Sequence, residues 1–451
     1  MEQADMDFKP NLHQVHKIIH TKIVGEYRSS MSIFTNFVLA GRFVMVYGPR
    51  ASGKTYISEA IRDFFLGDME KKTGTSYSMT MGSDKAPWYQ IDLINQASHI
   101  FIFELNQVPK DFMEIIKRWG EDKTATYKTT ISKGGARTVK PYRLEPRPVT
   151  FCLADEQYQE IGDQLSSRLT VIRTDSSISQ NKAIMFDQAK RAKIRKMEYD
   201  VSNDTIVSMK DHIFTMPEMK NLLFKHPAAD KFIESIPPFW TDCRRDFPKY
   251  LWNTYGITRF HWKERIRAQQ GKDKFLIFVT PQDMYSNHII YGKTLIDSSL
   301  KCNETQRDII EILKKQETNE MFKLGMKTAD VQRFLRGMGN NVSTQMTTRY
   351  LNDLSNIGYL VKDEVKKRYI TGDLFNEFKF QINWKEVLEE TKQTMLREFP
   401  EAAPAYIKKY IDDDVVLHPF SGKKVKLSEL EVMKVDAMKK DDLSSYFKEE
   451  K

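Results

Sequence analysis

The chain has 451 residues, a hydrophobic fraction of 40% and a formal net charge of +9, which permits nucleic acid as a partner. This length suits about three domains, and the lack of any stretch of about 18 uncharged apolar residues argues against a membrane span. The three cysteines, Cys152, Cys243 and Cys302, are too widely spaced for a disulfide framework or a zinc site. We therefore expect a cytoplasmic protein, or a nuclear one in a eukaryote.

Three histidines, His13, His16 and His20, fall on one face of a predicted N-terminal helix. Such a spacing can hold a metal ion. No carboxylate or cysteine lies close enough along the sequence to complete a site. Solvated positions on an amphipathic helix are therefore favoured over a metal site.

A phosphate-binding pattern, GxxxxGK(S/T), follows. It consists of Gly48, Pro49, Arg50, Ala51, Ser52, Gly53, Lys54 and Thr55. Residues 43–47 predict a buried parallel strand before it and residues 56–62 a helix after it, which is the context that the motif requires. Backbone N–H groups would hold the β-phosphate. Lys54 would reach the β- and γ-phosphates, and the Thr55 hydroxyl would bind Mg²⁺. The expected ligands are therefore ATP and Mg²⁺.

Three further apolar strands are predicted after the loop. The first, residues 99–103, ends at Glu104, and we expect it beside the loop strand. Glu104 would then face the γ-phosphate, as a Mg²⁺ ligand or as the group that polarises the attacking water. The alternative is a buried strand that merely stops at a charge. The second strand, residues 148–154, ends at Asp155, and Arg168 directly precedes the third. In a ring of ATPases, an arginine at that position faces the nucleotide of the neighbouring subunit.

Basic residues mark two further segments of this half. Residues 124–142 predict a β-hairpin, with Lys133 and Arg137 on either side of two glycines at its tip. Such a tip suits contact with a phosphate backbone, and a solvated turn is the alternative. Residues 190–196 predict a basic helix, for which a solvated face is favoured over a DNA site.

The second half of the chain begins with a segment, residues 215–300, that is predicted to be helical and rich in aromatic residues. Within it, Thr280 and Pro281 form a good helix start. Residues 303–372 then predict three helices and a hairpin, the pattern of a winged helix. Residues that would contact a DNA groove or a backbone phosphate are Gln345, Thr348, Arg349, Lys366, Lys367 and Arg368. Winged helices also bind proteins, so this alternative stays open.

The charged segment near the C-terminus combines an aliphatic residue with two consecutive aromatic residues. The residues concerned are Lys440, Leu443, Tyr446 and Phe447. Their spacing resembles the interaction box that binds a sliding clamp (PCNA), with Lys440 where glutamine is usual. The alternative is a disordered tail with accidental aromatic residues.

Together these segments resemble an AAA+ ATPase, and more narrowly the MCM-type and superfamily III replicative helicases. The resemblance implies an α/β fold in which an AAA+ core (23–200) follows a helical lead-in (1–22). A helical lid (201–300), a winged helix (301–375) and an extension (376–451) complete the chain. It also implies roles: Glu104 as the catalytic glutamate, Asp155 at sensor 1, Arg168 as arginine finger, Arg259 at sensor 2 and Lys133 on the DNA-gripping hairpin. Phe103 replaces the aspartate that usually supports Mg²⁺, so hydrolysis can be slow.

The resemblance implies an ATP-dependent helicase or translocase that acts on DNA as a homo-hexameric ring in replication or repair. The basic hairpin favours this motor. A non-motor DNA-binding switch of the origin-recognition or helicase-loader type is the alternative, and Phe103 favours it. A protein remodeller docked on a sliding clamp is the third hypothesis. DNA-stimulated ATPase activity with strand displacement would distinguish the motor from the other two.

Overall fold

A parallel sheet organises the N-terminal half of the chain in this computed structural model. The described residues are 9–79, 90–103, 108, 110–120, 123–133, 136–154, 168–175, 178–193, 201–236, 243–270, 274–299, 302, 304–338, 340–372, 379–430 and 433–436. The elements of this half, in chain order, are α1 (Leu12–His20), α2 (Tyr27–Ile33, continued by the π-helical turn Phe34–Leu39), β1 (Val44–Gly48), α3 (Lys54–Ile61, continued by the π-helical turn Arg62–Leu66), β2 (Ser76–Ser78), α4 (Ile91–Gln96), β3 (His99–Ile102), α5 (Lys110–Trp119), β4 (Ala125–Lys133), β5 (Ala136–Leu144), β6 (Val149–Ala154) and β7 (Thr170–Arg173).

Five strands form the sheet in the order β2-β3-β6-β1-β7, and every neighbouring pair is parallel. The central strand β1 is apolar because it is covered on both faces. Val44 and Val46 belong to one buried cluster with Ile57 of α3, whereas Met45 belongs to a second cluster with Trp119 of α5. This confirms the prediction of an α/β fold with a buried parallel strand before the loop and a helix after it.

The position of β3 differs from the expectation. We expected the strand before Glu104 to lie directly beside the loop strand, but β3 pairs with β6, and β6 pairs with β1. One strand therefore separates β3 from β1. A sequence pattern specifies that a strand is buried, but it does not specify which buried strand lies next to it. The edge strand β2 was also missed, because its segment reads as polar.

The predicted hairpin is present as β4 and β5, which pair from Ala125↔Leu144 to Lys133↔Ala136. The next elements along the chain are α6 (Ile178–Lys193), α7 (Asn203–Thr215), β8 (Leu222–Lys225), α8 (Ala229–Glu234), α9 (Cys243–Phe260), β9 (Arg267–Gln270), β10 (Lys274–Phe278) and α10 (Pro281–Ser299). Strands β8, β10 and β9 form a three-stranded sheet in a segment that the sequence predicts to be helical. The predicted start of α10 is confirmed, because Pro281 is its first residue and Thr280 bonds to Asp283.

Three helices and a hairpin follow, as predicted: α11 (Glu304–Gln316), α12 (Thr328–Gly337), α13 (Thr344–Ile357), β11 (Leu360–Asp363) and β12 (Arg368–Thr371). Ser343 caps α13 by accepting a hydrogen bond from the Met346 N–H at 3.2 Å. Leu351 and Leu354 are fully buried on the inner face of that helix. An isolated bridge between Met326 and Tyr369 adds a third extended segment beside β12.

The remaining elements pack back onto the segment that contains α9 and α10. They are β13 (Lys379–Ile382), α14 (Trp384–Glu398), α15 (Ala403–Tyr410), β14 (Val415–Leu417), β15 (Lys424–Lys426) and β16 (Met433–Asp436). The Tyr406 hydroxyl donates to the Val279 carbonyl at 2.6 Å. The Gln282 amide both donates to and accepts from the Leu417 backbone. Nowhere in the described part of the chain does a helix combine the length and apolar character that a membrane span needs.

Candidate functional site

The loop between β1 and α3 leaves the first turn of that helix without a side-chain cap. Gly53 has φ +80° and Ala51 has φ +61°, so the chain turns through left-handed conformations to enter α3. The first backbone N–H groups of a helix have no partner within it. Such groups, together with the positive end of the helix dipole, attract anions, and here they lie at the carboxyl edge of the sheet.

The Lys54 ammonium lies within this loop. Its Nζ donates to the carbonyls of Gly48 at 3.0 Å and Pro49 at 2.6 Å, and to the Ser52 hydroxyl at 3.4 Å. The positive charge is therefore held beside the uncapped N–H groups. An incoming phosphate would replace these hydrogen bonds to neutral carbonyls with bonds between two charged groups, which are stronger.

The loop is also held from the neighbouring strand. Thr174, the residue after β7, places its hydroxyl 2.7 Å from the Ser52 hydroxyl, and its N–H donates to the Tyr47 carbonyl at 3.0 Å. A methyl group on Gly48 would overlap the Thr174 hydroxyl, which explains the glycine there. No pattern in the sequence singles out Thr174. Its role depends on the pairing of β1 with β7, in which Tyr47 lies opposite Arg173.

Below the loop, Thr55 and Ser58 face a buried thiol on β6. The Ser58 hydroxyl lies 3.6 Å from Cys152 Sγ. Burial raises the pKa of Cys152 to about 11, although hydrogen bonds from Ser58 and Thr55 oppose the shift. The thiol is therefore protonated at neutral pH, and it packs as a small apolar group. Thr55 itself is exposed in the first turn of α3, where it was predicted to bind Mg²⁺.

The strand that was predicted to supply an acid ends next to an aromatic residue and a guanidinium. Phe103 follows β3, lies 6.1 Å from the Phe101 ring and has the Arg62 guanidinium 5.9 Å from its own ring centre. Glu104 and Asp155 lie outside the described residues, so their roles stay predictions. Because β6 separates β3 from β1, the ends of those two strands are about 10 Å apart.

Arg168, the predicted finger, contacts its own chain. Its Nη1 donates to the Lys117 carbonyl at 3.1 Å, at the end of α5, and its side chain packs near Gly120. A cation at this position stabilises the carboxyl end of a helix. The predicted role of Arg168 toward a neighbouring subunit stays a prediction.

The structure does not bring Arg259 to the loop. Its guanidinium donates to the carbonyls of Pro217 at 2.6 Å and Leu39 at 2.8 Å. Leu39 precedes β1, at the amino edge of the sheet, whereas the phosphate loop follows the carboxyl end of that strand. Burial lowers the pKa of Arg259 to about 10. Arg259 therefore joins two segments of its own chain.

No family model matches the chain, and no curated protein matches it either.

The predicted DNA-binding residues of the β4–β5 hairpin are described only as backbone. Lys133 is the last residue of β4 and pairs with Ala136, while Arg137 pairs with Ser132. Both positions are therefore next to the tip of a hairpin whose two strands have nine residues each. Their side chains lie outside the described part of the chain, and contact with DNA stays a prediction.

The α13 helix and the β11–β12 hairpin carry the other predicted DNA contacts. Gln345 and Arg349 are exposed and one turn apart, whereas the Thr348 hydroxyl donates to the Thr344 carbonyl at 2.9 Å. At the hairpin tip, Glu364 pairs with Lys362 at 2.9 Å and with Lys367 at 3.0 Å. Part of the positive charge of the tip is thus compensated. Lys366 is exposed, and Arg368 is half-buried.

The three N-terminal histidines share one helix face, as predicted, but that face is not solvated. His16 is 5% exposed, packs against Tyr27 and Phe420, and lies 4.3 Å from His20 between ring centres. The expectation of solvated positions is therefore wrong. A segment far along the chain covers the helix, and a local pattern cannot reveal it. Within the described residues, no cluster of histidine, cysteine or acidic residues is arranged to hold a metal ion.

The predicted clamp-binding residues Lys440, Leu443, Tyr446 and Phe447 lie outside the described part of the chain, and their role stays a prediction. Cys152 and Cys302 are buried free thiols.

Proposed function

We propose that the chain is an ATPase of the AAA+ class that acts on DNA as a ring-shaped motor. One observation carries the proposal: the Lys54 ammonium and the uncapped start of α3 meet at the carboxyl edge of a parallel sheet. Ligands of open α/β sheets bind at that edge, at the point where the strand order reverses and the connections leave toward opposite sides of the sheet. Here β1 has β6 on one side and β7 on the other.

In this proposal the loop holds the β- and γ-phosphates of ATP. The N–H groups of α3 and the Lys54 ammonium stabilise negative charge, and Ser52 is held in place by Thr174. Thr55 and Glu104 are the residues that would hold Mg²⁺, which offsets charge on the phosphate oxygens when bound. Glu104 or Asp155 would orient the attacking water, and Arg168 of a neighbouring subunit would stabilise the transition state.

The surfaces beyond the loop support DNA as the partner. A long basic hairpin lies between α5 and β6, and the unit of three helices and a hairpin from α11 to β12 has the element order of a winged helix. We propose that Lys133 and Arg137 contact the DNA backbone, and that Gln345 and Arg349 face a groove. The order of core, lid and winged helix also agrees with the resemblance to MCM-type helicases.

A non-motor switch is the second candidate, and Phe103 favours it. An aromatic ring beside the Arg62 guanidinium stands where an aspartate usually supports Mg²⁺. Without that carboxylate the metal has one fewer negative ligand in its surroundings, and turnover is expected to be slow. Such a protein would bind ATP and DNA but would not separate strands.

The motor and the switch are tested first by nucleotide binding and then by strand displacement. A fluorescent ATP analogue should bind the wild-type chain with Mg²⁺, and Lys54→Ala should weaken its binding at least tenfold, because one charge-assisted contact of about 1.5–3 kcal/mol is lost. The matched control is Lys220→Ala, which removes a surface lysine that pairs with Glu218. If Lys54→Ala binds as tightly as the control, the nucleotide proposal is wrong.

The motor is tested on forked DNA, with turnover and particle mass measured together. We expect a hexamer whose ATP hydrolysis increases with DNA and whose strand displacement is lost in Lys54→Ala and in Lys133→Ala. Tight binding of ATP and DNA without strand displacement would favour the switch. If both variants displace strands as the wild type does, the proposal of a motor is wrong.

A further inference from the structure

Helix α6 lies on the surface and has one face in contact with the chain. On that inner side the Gln180 amide donates to the Val24 carbonyl at 2.7 Å, and Arg191 donates to the Lys22 carbonyl at 3.4 Å and pairs with Asp187. The opposite side is solvent-exposed along most of the helix. Its two largest apolar side chains, Met185 and Phe186, are 67% and 75% exposed.

The exposed side carries a regular arrangement of basic and aromatic residues. Lys182, Phe186, Lys190 and Lys193 follow one another at steps of four, four and three residues, so they share one stripe of the helix. At a rise of about 1.5 Å per residue, the stripe is about 17 Å long. All four side chains are exposed. We call these four residues the α6 stripe.

The lysines of the α6 stripe have no carboxylate partner within the described part of the chain, whereas Arg191 on the inner side pairs with Asp187. Ala189 lies three residues after Phe186 and is exposed beside it, which leaves room over the ring. A solvated basic face needs lysines only. It does not account for a phenylalanine in the middle of the stripe, because exposing such a ring forgoes about 1.5–3 kcal/mol of burial.

We propose that the α6 stripe binds single-stranded nucleic acid, with Phe186 stacked on a base and the three lysines on backbone phosphates. Three positive charges that have no carboxylate partner among the described residues complement the phosphates, and an aromatic ring between them offers the stacking platform that unpaired bases use. A duplex hides its base faces, so it would use the lysines alone. The four residues of the stripe belong neither to the phosphate loop nor to the β4–β5 hairpin or the α13 helix, and the proposed binding needs no nucleotide.

The test measures binding of a fluorescein-labelled oligo(dT) to the full chain, without ATP, at several salt concentrations. Phe186→Ala should weaken binding about tenfold without changing the salt dependence, because stacking contributes about 1–3 kcal/mol per base. Phe186→Tyr should restore it. The triple variant Lys182→Gln, Lys190→Gln and Lys193→Gln should weaken binding and reduce the slope of log K against log salt by about 2, since each phosphate contact contributes about 0.7.

The matched control is the triple variant Lys385→Gln, Lys408→Gln and Lys424→Gln, which removes the same charge from exposed lysines elsewhere. It should bind as the wild type does. The proposal is overturned if Phe186→Ala binds like the wild type, or if the control loses as much affinity as the stripe variant. The proposal is also overturned if the stripe variants bind oligo(dT) as the wild type does but have a different sedimentation coefficient. The stripe would then be an interface between copies of the chain. Lys54→Ala should leave this binding unchanged, so the outcome does not depend on the nucleotide proposal.

Discussion

The hydroxyl groups of Ser52 and Thr174 lie 2.7 Å apart, and this bond joins the phosphate loop to the end of β7. Thr174 is 2% exposed, so its hydroxyl has little access to water. Thr174→Val keeps the shape of the side chain but removes the bond. We expect a loss of about 1 kcal/mol in the free energy of unfolding and weaker binding of an ATP analogue, measured by denaturant unfolding and by fluorescence titration.

The control for that substitution is Thr391→Val. Thr391 is also fully buried, and its hydroxyl donates to the Val387 carbonyl at 2.6 Å within α14, far from the loop along the chain. It should lower stability by a similar amount and leave nucleotide affinity unchanged. Equal nucleotide affinity in the two variants would show that the bond from Thr174 does not position the loop.

A second prediction concerns the glycine that begins the loop. Gly48→Ala would place a methyl group on the Thr174 hydroxyl, so the loop or the end of β7 must move. We expect a loss of about 1–3 kcal/mol in the free energy of unfolding, as for other overpacked sites, and the loss of nucleotide binding. Gly337→Ala is the control, since a methyl group there meets nothing within 4 Å. A Gly48→Ala protein as stable as this control would contradict the geometry.

Acid should destabilise the fold through its buried histidines, and His16 provides the test. Burial, and then the nearby His20, His13, His418 and Lys17, lower the pKa of His16 to about 2 from 6.5. Below pH 6.5, His16 therefore binds a proton in the unfolded chain but stays neutral in the folded chain. Stability is fully present above pH 6.5 and falls as the pH falls, by about 2 kcal/mol at pH 5 for this one group.

His16→Phe should remove that part of the pH dependence, because phenylalanine suits the aromatic surroundings of Tyr27 and Phe420 and does not titrate. Denaturant unfolding at pH 7.5, 6 and 5 is the measurement. The variant should lose less stability than the wild type between pH 7.5 and 5, with the remaining slope due to the other buried histidines. Parallel curves for the two proteins would mean that His16 is protonated in the folded state.

Glu26 should give the opposite dependence on pH. Burial raises the pKa of this carboxyl to about 8 from 4.5, and Oε1 accepts a hydrogen bond from the Asp175 N–H at 2.7 Å. With a pKa of about 8 the folded carboxyl keeps its proton up to that pH, so its stabilising contribution is fully present below pH 4.5 and is lost as the pH rises through 8. Glu26→Gln keeps the acceptor and cannot ionise. At pH 8 it should be more stable than the wild type by on the order of 3 kcal/mol, and near pH 4 the two should agree.

The features that depend on neighbouring residues along the chain were predictable. The loop from Gly48 to Thr55, the start of α10 at Pro281 and the cap of α13 at Ser343 each depend on a few adjacent residues, and all three have the predicted local structure. Strand β10 was missed because a short apolar run suits a buried strand and a buried helix equally well.

The features that depend on distant pairing were not predictable. Thr174 contacts Ser52 only because β7 pairs with β1, and no local pattern gives that pairing. The burial of His16 depends on Phe420, and the anchoring of Arg259 depends on Leu39 and Pro217. A buried arginine and an exposed arginine look the same in a sequence until their neighbours in space are known.

The packing of the C-terminal elements makes the two ends of the described chain part of one cooperative unit. His13 Nδ1 lies 2.8 Å from the Phe420 carbonyl, so α1 and the turn before β15 hold each other. Trp384 of α14 is fully buried against Tyr285 and His288 of α10. A chain shortened after β12 would lose Trp384 and Phe420, and it would expose Tyr285, His288 and the side of His16 that Phe420 covers. Amide protons of α1 and of the 414–427 segment should therefore exchange with solvent through the same opening event, although these segments are far apart in sequence.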